Sequence, residues 1–441
     1  MVKRDRLLAL IRHKMFKGGV GSLAIKLAHT LLVFAVAVTL ARLMGPDGYG
    51  IYAFALAIVT LAALPAQAGL PQLIVRETAR AHAEEDWARM RGLWQWANRL
   101  VMVLSVLLAA AVGVAISIQE PTDRTSVLAI ATLLVPVLAL AHIRAASLRG
   151  LRHVIYGQLP ESVIRPLTLL ILVGIAWLIL PLEALSDPVL IMTLYVSAAS
   201  VAFVAGAAML LQLRPPQMKF TPPRTDMWRV WLRSVIPLSL IAGFQIINNQ
   251  ADIVMLGVLR SDEEVGIYRA SFQISLLVIF GLQAINQLVQ PWFARLYQIG
   301  DMVKLQRLVT ASARVIVILA TLPFLAILGF GDLLLKLVFG DPFRSGALAL
   351  AILAGGQAFN AAMGSVVQLL NMTGHETDTL KGVVLAALLN LLLNVALIPR
   401  FGMEGAAIAT FCSLVVWNLY LRHCVSRRLQ IESSIFGRWR R

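Results

Sequence analysis

The sequence predicts an all-α polytopic membrane protein, with about twelve transmembrane helices in two six-helix repeat lobes around a central cavity. Three observations predict it. Hydrophobic residues make up 59% of the chain and charged ones only 14%, whereas a soluble chain is nearer half apolar and a quarter charged. Apolar runs of about twenty residues, the length a spanning helix needs, recur along the whole chain. One short turn also occurs twice. "LARLMGPDGYGIYAF" (40–54) is answered 216 positions later by "LGVLRSDEEVGIYRA" (256–270), with Gly50-Ile51-Tyr52 matching Gly266-Ile267-Tyr268.

In order, the expected spans are 21–42, 50–70, 93–118, 126–146, 158–181, 189–212, 234–258, 266–290, 308–331, 345–368, 381–399 and 405–422. The first follows the basic start "MVKRDRLLALIRHKMFKGG" and is too long for the apolar region of a signal peptide, so it reads as uncleaved. Three stretches look like interfacial amphipathic helices: Leu7, Leu8, Ile11 and Met15 before span one, Trp87, Met90 and Trp94 before span three, and "MWRVWLR" (227–233) before span seven. Four prolines in "RPPQMKFTPPRTDMW" (214–228) mark an extended connector. The expected domains are therefore an N-terminal lobe (1–213), a cytoplasmic connector with an interfacial helix (214–233) and a C-terminal lobe with a basic tail (234–441).

Net charge is +16, and its placement argues against nucleic acid. Both termini and the even-numbered loops together hold 28 Lys and Arg, while the other side holds only Arg42, Arg124, Arg260, Lys336, Arg344 and Arg400. That bias puts both termini in the cytoplasm, with the bases facing anionic membrane lipid. Because six is an even number of spans, the two repeats share one orientation. Parallel repeats of this kind suit a transporter whose lobes rock about a central site. The repeated turn has a local explanation too: Gly45, Pro46, Gly48 and Gly50 permit a tight reversal, and Tyr52 and Tyr268 can anchor the helix that follows.

Polar residues inside spans are expensive and face a cavity or a partner helix. Here they fall at helical spacing on single faces. Span one carries Lys26, His29 and Thr30; span five Glu161 and Arg165; span seven Gln245, Asn249 and Asp252; span eight Arg269 and Gln273. Lys26, His29, Thr30, Arg165, Gln245, Asn249, Arg269 and Gln273 are the expected substrate-binding cavity residues. Asp252 is the one acid well inside a span, and it is the candidate for ion coupling. Lys26 sits about 8 Å inside span one at 1.5 Å per residue. Asn390 and Asn394 of span eleven read as interhelical hydrogen-bonding residues. Arg99 and Arg314 can snorkel to the interface, and Glu161 can neutralise Arg165 at i, i+4.

No pattern supports catalysis, a cofactor or a metal. "GGVG" (18–21) lacks the Lys-Ser/Thr of a phosphate loop, "GHETD" (374–378) is not H-E-x-x-H, and Cys412 and Cys424 form no C-x-x-C pair.

Several segments resemble bacterial polysaccharide transporters, the O-antigen-type lipid-linked oligosaccharide flippases of the multidrug/oligosaccharidyl-lipid/polysaccharide (MOP) exporter superfamily. They are the glycine-rich turn at 40–52, "GLPQLIVRETAR" (69–80), "LRGLRH" (148–153), "NQADIVMLGVLRSDEEVGIYRAS" (249–271), "LLNMTGH" (369–375) and "IPRFGMEGAAIAT" (398–410). The resemblance implies flipping of a polyprenyl-diphosphate-linked oligosaccharide across the bacterial inner membrane. Glycosyltransferases and a polysaccharide polymerase are the implied partners. An amide-rich cavity would meet sugar hydroxyls, and a basic inner mouth would suit the diphosphate. A multidrug or cation exporter of the same superfamily and a peptidoglycan-precursor flippase remain as alternatives, and a membrane enzyme acting on polyprenyl-linked sugars is a third.

The charge distribution makes a direct prediction. Reporter fusions at Asp47, Asp187 and Glu263 should read external, and fusions at Glu84 and Arg224 internal. Swapped readings at any two of them would overturn the topology.

Overall fold

The structure is a computed structural model describing residues 2–67, 69–118 and 120–434; the side chains of 2–20, 22, 23, 66, 67, 236, 237, 240 and 241 lie outside that description. Sixteen α-helices follow one another. They are α1 (Val2–Ala62), α2 (Leu64–Gln67), α3 (Leu70–Ala83), α4 (Trp87–Ser117), α5 (Asp123–Thr132), α6 (Leu134–Gly150), α7 (Val154–Leu159), α8 (Arg165–Ile179), α9 (Pro188–Leu213), α10 (Trp228–Leu259), α11 (Asp262–Ser275), α12 (Phe280–Gln298), α13 (Met302–Phe339), α14 (Ala347–Met363), α15 (Val366–Met372) and α16 (Glu376–Leu429). Among the described residues there is no strand. Lipid offers no hydrogen bonds to a backbone, so helices that satisfy their own N–H and C=O groups are the expected answer.

Among the described residues eight helices are long and apolar enough to cross a membrane, and α11 with α12, bent by 49°, makes a ninth when the pair is taken as one span. Three of the eight contain a break: one lies near the end of α13, at Phe330, and two divide their helix into a pair of long arms. In α1 it falls at Gly45, whose φ of +68° favours glycine, and residues up to Val36 and from Ala55 belong to the same compact unit. In α16 it falls at Gly402 (φ +54°), and Asn390 reaches Thr410 at 3.4 Å across the resulting hairpin. Counting each half, and adding the 32-residue α10, accounts for the twelve expected spans.

The chain divides into two compact units. Unit 1 comprises Met1–Val36 and Ala55–Gly243, and unit 2 comprises Ala37–Phe54 and Phe244–Arg441. The core of unit 1 gathers Leu73, Ile74, Met90, Leu93, Ile143 and Trp231. Parts of two expected interfacial stripes are core instead: Met90 is fully buried, Trp94 donates from Nε1 to Thr78 Oγ1 at 2.9 Å, and Trp231 packs on Trp96, while Trp228, Val230 and Leu232 stay exposed. An amphipathic stripe looks the same whether its apolar face meets lipid headgroups or protein. The stripe at Leu7, Leu8, Ile11 and Met15 lies outside the described side chains. The connector is pinned rather than loose. Arg91 Nη1 donates to the carbonyls of Thr221 (2.6 Å) and Lys219 (3.1 Å), and Arg224 N–H donates to Ala88 O (3.0 Å). A Cβ on Gly92 would lie 1.9 Å from the Arg224 carbonyl oxygen.

Unit 2 secures its own end in the same manner. The Gln306 amide accepts from Glu432 N–H and donates to Glu432 O, both at 2.8 Å, and Arg422 pairs with Glu432 at 2.7 Å. Its core is built from Phe293, Leu305, Val309, Leu369, Leu421 and Val425. The repeated turns meet within this unit. A Cβ on Gly50 would stand 1.8 Å from Asp262 O, and one on Gly266 would stand 2.0 Å from Pro46 O. The copies thus touch backbone to backbone with the same 216-residue offset, and both glycines are needed for the approach. Arg42 closes the site by donating to the last carbonyls of α13, at Leu337 and at Val338 (2.8 Å).

Gly266→Ala should lower stability by about 1–3 kcal/mol, because backbone must move to admit the methyl. Gly113→Ala, where a Cβ meets nothing within 4 Å, should be neutral or stabilising. Thermal unfolding in detergent distinguishes the two, and equal melting temperatures would contradict the contact.

Candidate functional site

Span five breaks its helix twice. Pro160 and Pro166 flank a π-turn at Pro160–Ile164, closed by the Arg165 N–H on Pro160 O, five residues back. Pro166 has no N–H, so the Ser162 carbonyl four residues earlier loses its helical donor. His29 Nδ1 supplies one at 3.1 Å. A carbonyl only accepts, so Nδ1 carries the proton and Nε2 is the lone-pair nitrogen. The π-turn also sets Glu161 beside Arg165, with Nη1 and Oε2 2.6 Å apart. Arg165 lies over the Tyr195 ring at 5.9 Å.

Lys26 and His29 come to this place on α1. His29 stands in the electrostatic field of Arg165, Glu161 and Lys26. Lys26 is half-buried and forms no ion pair among the described residues. Thr30 uses its hydroxyl on the Lys26 carbonyl at 3.0 Å, which holds it to its own helix. Span four adds residues that the sequence reading passed over. His142 faces Glu161, Arg165 and Arg149 electrostatically. The seven-residue spacing of His142 and Arg149, two turns on one helix face, was the available signal. Unit 1 thus carries Lys26, Arg149, Arg165 and two imidazoles within electrostatic reach of one another, and Glu161, paired with Arg165, is the carboxylate among them. The excess is cationic, in a setting where charge is weakly screened.

Unit 2 holds the remaining expected residues. Asp252 is 6% exposed. Its oxygens accept from Tyr268 Oη (2.6 Å), Asn394 Nδ2 (2.6 Å) and Thr410 Oγ1. All three donors are neutral, and they tie together α10, α11 and both arms of α16. Asn394 also donates to Asn390 Oδ1 at 3.0 Å. Asn394 therefore bonds the deep acid of another helix, and Asn390 supports it through Asn394 and, at 3.4 Å, through Thr410. Thr410 was not foreseen, because a lone Thr in an apolar run carries no periodic signal. Arg269 meets the Tyr49 hydroxyl of the first turn. Gln273 is buried, and Gln245 and Asn249 are exposed. Arg99 and Arg314 are exposed as well.

Comparison with known proteins agrees with this architecture. The profile of the family described as "Polysaccharide biosynthesis protein" matches residues 16–297. The "Probable low-salt glycan biosynthesis flippase Agl15" of Haloferax volcanii is 28% identical over 184 residues, covering 41% of this chain and 38% of that protein. The aligned part is thus well under half of the relative's length. Among solved structures, an inward-facing multidrug resistance MATE family transporter of the MOP superfamily superposes with a TM-score of 0.68 at 12% identity, covering 93% of this chain and 98% of that one. The lipid II flippase MurJ in an inward closed conformation gives 0.66 at 11% identity, covering 89% and 87%. At such identities the two structures speak for the fold alone. The profile covers more than half of the chain, and the helical architecture agrees with it: the chain belongs to the family described as polysaccharide biosynthesis protein.

Proposed function

We propose that this chain flips polyprenyl-diphosphate-linked oligosaccharide units from the cytoplasmic to the outer leaflet of a bacterial inner membrane, by alternating access, for polysaccharide biosynthesis. Both termini are cytoplasmic in this reading, and no covalent chemistry is performed. The observation that carries it is the cationic cluster of unit 1. Lys26, Arg149 and Arg165 outnumber Glu161, and Lys26 has no ion-pair partner among the described residues. A diphosphate brings the two or more negative charges such a cluster lacks, and charge-assisted hydrogen bonds to it are roughly twice as strong as neutral ones. Gln245, Asn249 and Gln273 supply neutral donors and acceptors suited to sugar hydroxyls, and Arg269 stands among them. Agl15 carries a glycan flippase name, which supports the substrate class. Glycosyltransferases and a polymerase would work on either side of this step.

The MATE-like fold raises a second reading, export of cationic drugs. An excess of buried base over acid in unit 1 disfavours a cationic cargo. The peptidoglycan-precursor alternative keeps the diphosphate and changes only the sugar. Profiling the lipid-linked sugar that accumulates in a deletion strain separates all three.

Asp252 is assigned to ion coupling. Its three neutral donors leave a carboxylate that can take a proton or a cation within unit 2. Asp252→Asn should cut transport at least about tenfold, the equivalent of 1.4 kcal/mol, with membrane levels near wild type. Full transport in both Asn and Ala variants would remove the residue from the mechanism.

Charge removal tests the cluster. Lys26→Gln and Arg165→Gln should each lose surface polysaccharide at normal membrane levels, and Lys26→Arg should rescue in part. Wild-type polysaccharide in the double Gln variant would end the diphosphate reading.

A further inference from the structure

Glu161 is the one carboxylate in the cluster of unit 1, and a cluster built only to attract an anion has no use for it. Its ion pair with Arg165 is mostly buried, at 17% and 21% side-chain exposure. The π-turn at Pro160–Ile164 fixes it at that position, and turns of this kind are frequent at functional sites. Neutralising Arg165 is the simplest role, yet it removes a cation the substrate needs.

Beside Glu161 lies a small cavity of about 10 Å³, lined by Glu161 itself together with Arg144, Gly157, Pro160, Phe203 and Gly206. Arg144 comes from span four. Its guanidinium stacks on the Phe203 ring, 3.5 Å from the centroid. Its Nη1 is buried and makes no hydrogen bond among the described residues. A guanidinium held in this way is not snorkelling to water. Glu161 therefore holds one arginine and shares a cavity with a second that it does not hold.

We propose that Glu161 is a resident counter-ion that sets a charge threshold for the lipid headgroup, occupying Arg165 until a polyanionic headgroup displaces it toward Arg144. The proposal rests on the diphosphate reading above and deepens it to the headgroup's charge. A monoanionic phosphodiester that displaced Glu161 would exchange one negative charge for another. It would gain little in Coulomb energy and would still lose its own freedom of motion on binding. A diphosphate carries at least one charge more, and Lys26 and Arg149 stand ready to meet it. Bulk phospholipids would then be refused at the same cluster that accepts the substrate. Arg144 acts as a positioning residue, because it shares the cavity with Glu161 and would receive the displaced carboxylate rather than the headgroup.

The test uses the full chain in nanodiscs of zwitterionic lipid, with two probes: a polyprenyl diphosphate without sugar, and phosphatidylglycerol as the monoanionic phosphodiester. The wild type should prefer the diphosphate by about a hundredfold or more. Glu161→Gln should raise phosphatidylglycerol affinity about tenfold or more and reduce that ratio, a tenfold change being the effect of one modest interaction. Glu161→Asp, which keeps the charge, should restore discrimination. Arg144→Gln should weaken diphosphate binding severalfold while leaving phosphatidylglycerol binding alone. Melting temperature reports folding in each case, and Glu161→Asp carries the test if the Gln variant does not fold, since loss of discrimination with the charge retained contradicts the threshold. A wild type that binds neither probe above background overturns the diphosphate reading itself. A wild type that binds the diphosphate, with a ratio that both Glu161 variants leave unchanged, overturns the threshold alone.

Discussion

A charge taken into hydrocarbon must find its partner inside the protein, because lipid provides neither solvation nor screening. Much of this molecule follows from that constraint. The Glu161–Arg165 pair at 2.6 Å and the three donors on Asp252 are separate answers to it. The Glu161–Arg165 pair is local, four residues apart on one span, whereas the donors on Asp252 come from elements far apart in sequence. Asp252 alone fastens helices whose residues are up to 158 positions apart. Removing one member of such a set leaves the others desolvated and unpaired, which costs more than the bond was worth.

The same constraint shapes the backbone. Pro166 deprives Ser162 of its helical partner, and His29 restores it from another helix. A substitution at His29 would therefore act on the geometry of Glu161 and Arg165 as well as on the imidazole. The unit thus couples the shape of span five to the charge arrangement it presents. A helix with a proline-bounded π-turn is a place where such an arrangement can change without unwinding the span.

The two halves also reuse one architectural device. In each unit the segment after the sixth span is held at the start of the third, by Arg91 on the connector and by Gln306 on the tail. The chemistry differs, a guanidinium on carbonyls in one and a paired amide in the other, while the placement is shared. Duplication preserves where a segment must be fastened more strictly than it preserves the residue that fastens it. The repeated Gly-Ile-Tyr turn is the exception, retained in both copies because only glycine admits the backbone contact between Gly50 and Gly266.

The sequence by itself determined the membrane class and the all-helical fold. Each of these depends on periodicity and composition, which a linear reading contains. It also placed Lys26, His29, Arg165 and Asp252 correctly on their helices, because polar residues at 3.6 spacing share a face. Tertiary structure decided what each face meets. Met90, Trp94 and Trp231 turned from headgroup anchors into core because an apolar stripe does not encode its neighbour. His142, Arg144 and Arg149 entered the charged cluster because span four happens to pack there, and Thr410 reached Asp252 through a hairpin at Gly402. Helix-to-helix pairing is set by three-dimensional packing among many near-equivalent faces, and no local pattern in the chain specifies which pair will touch.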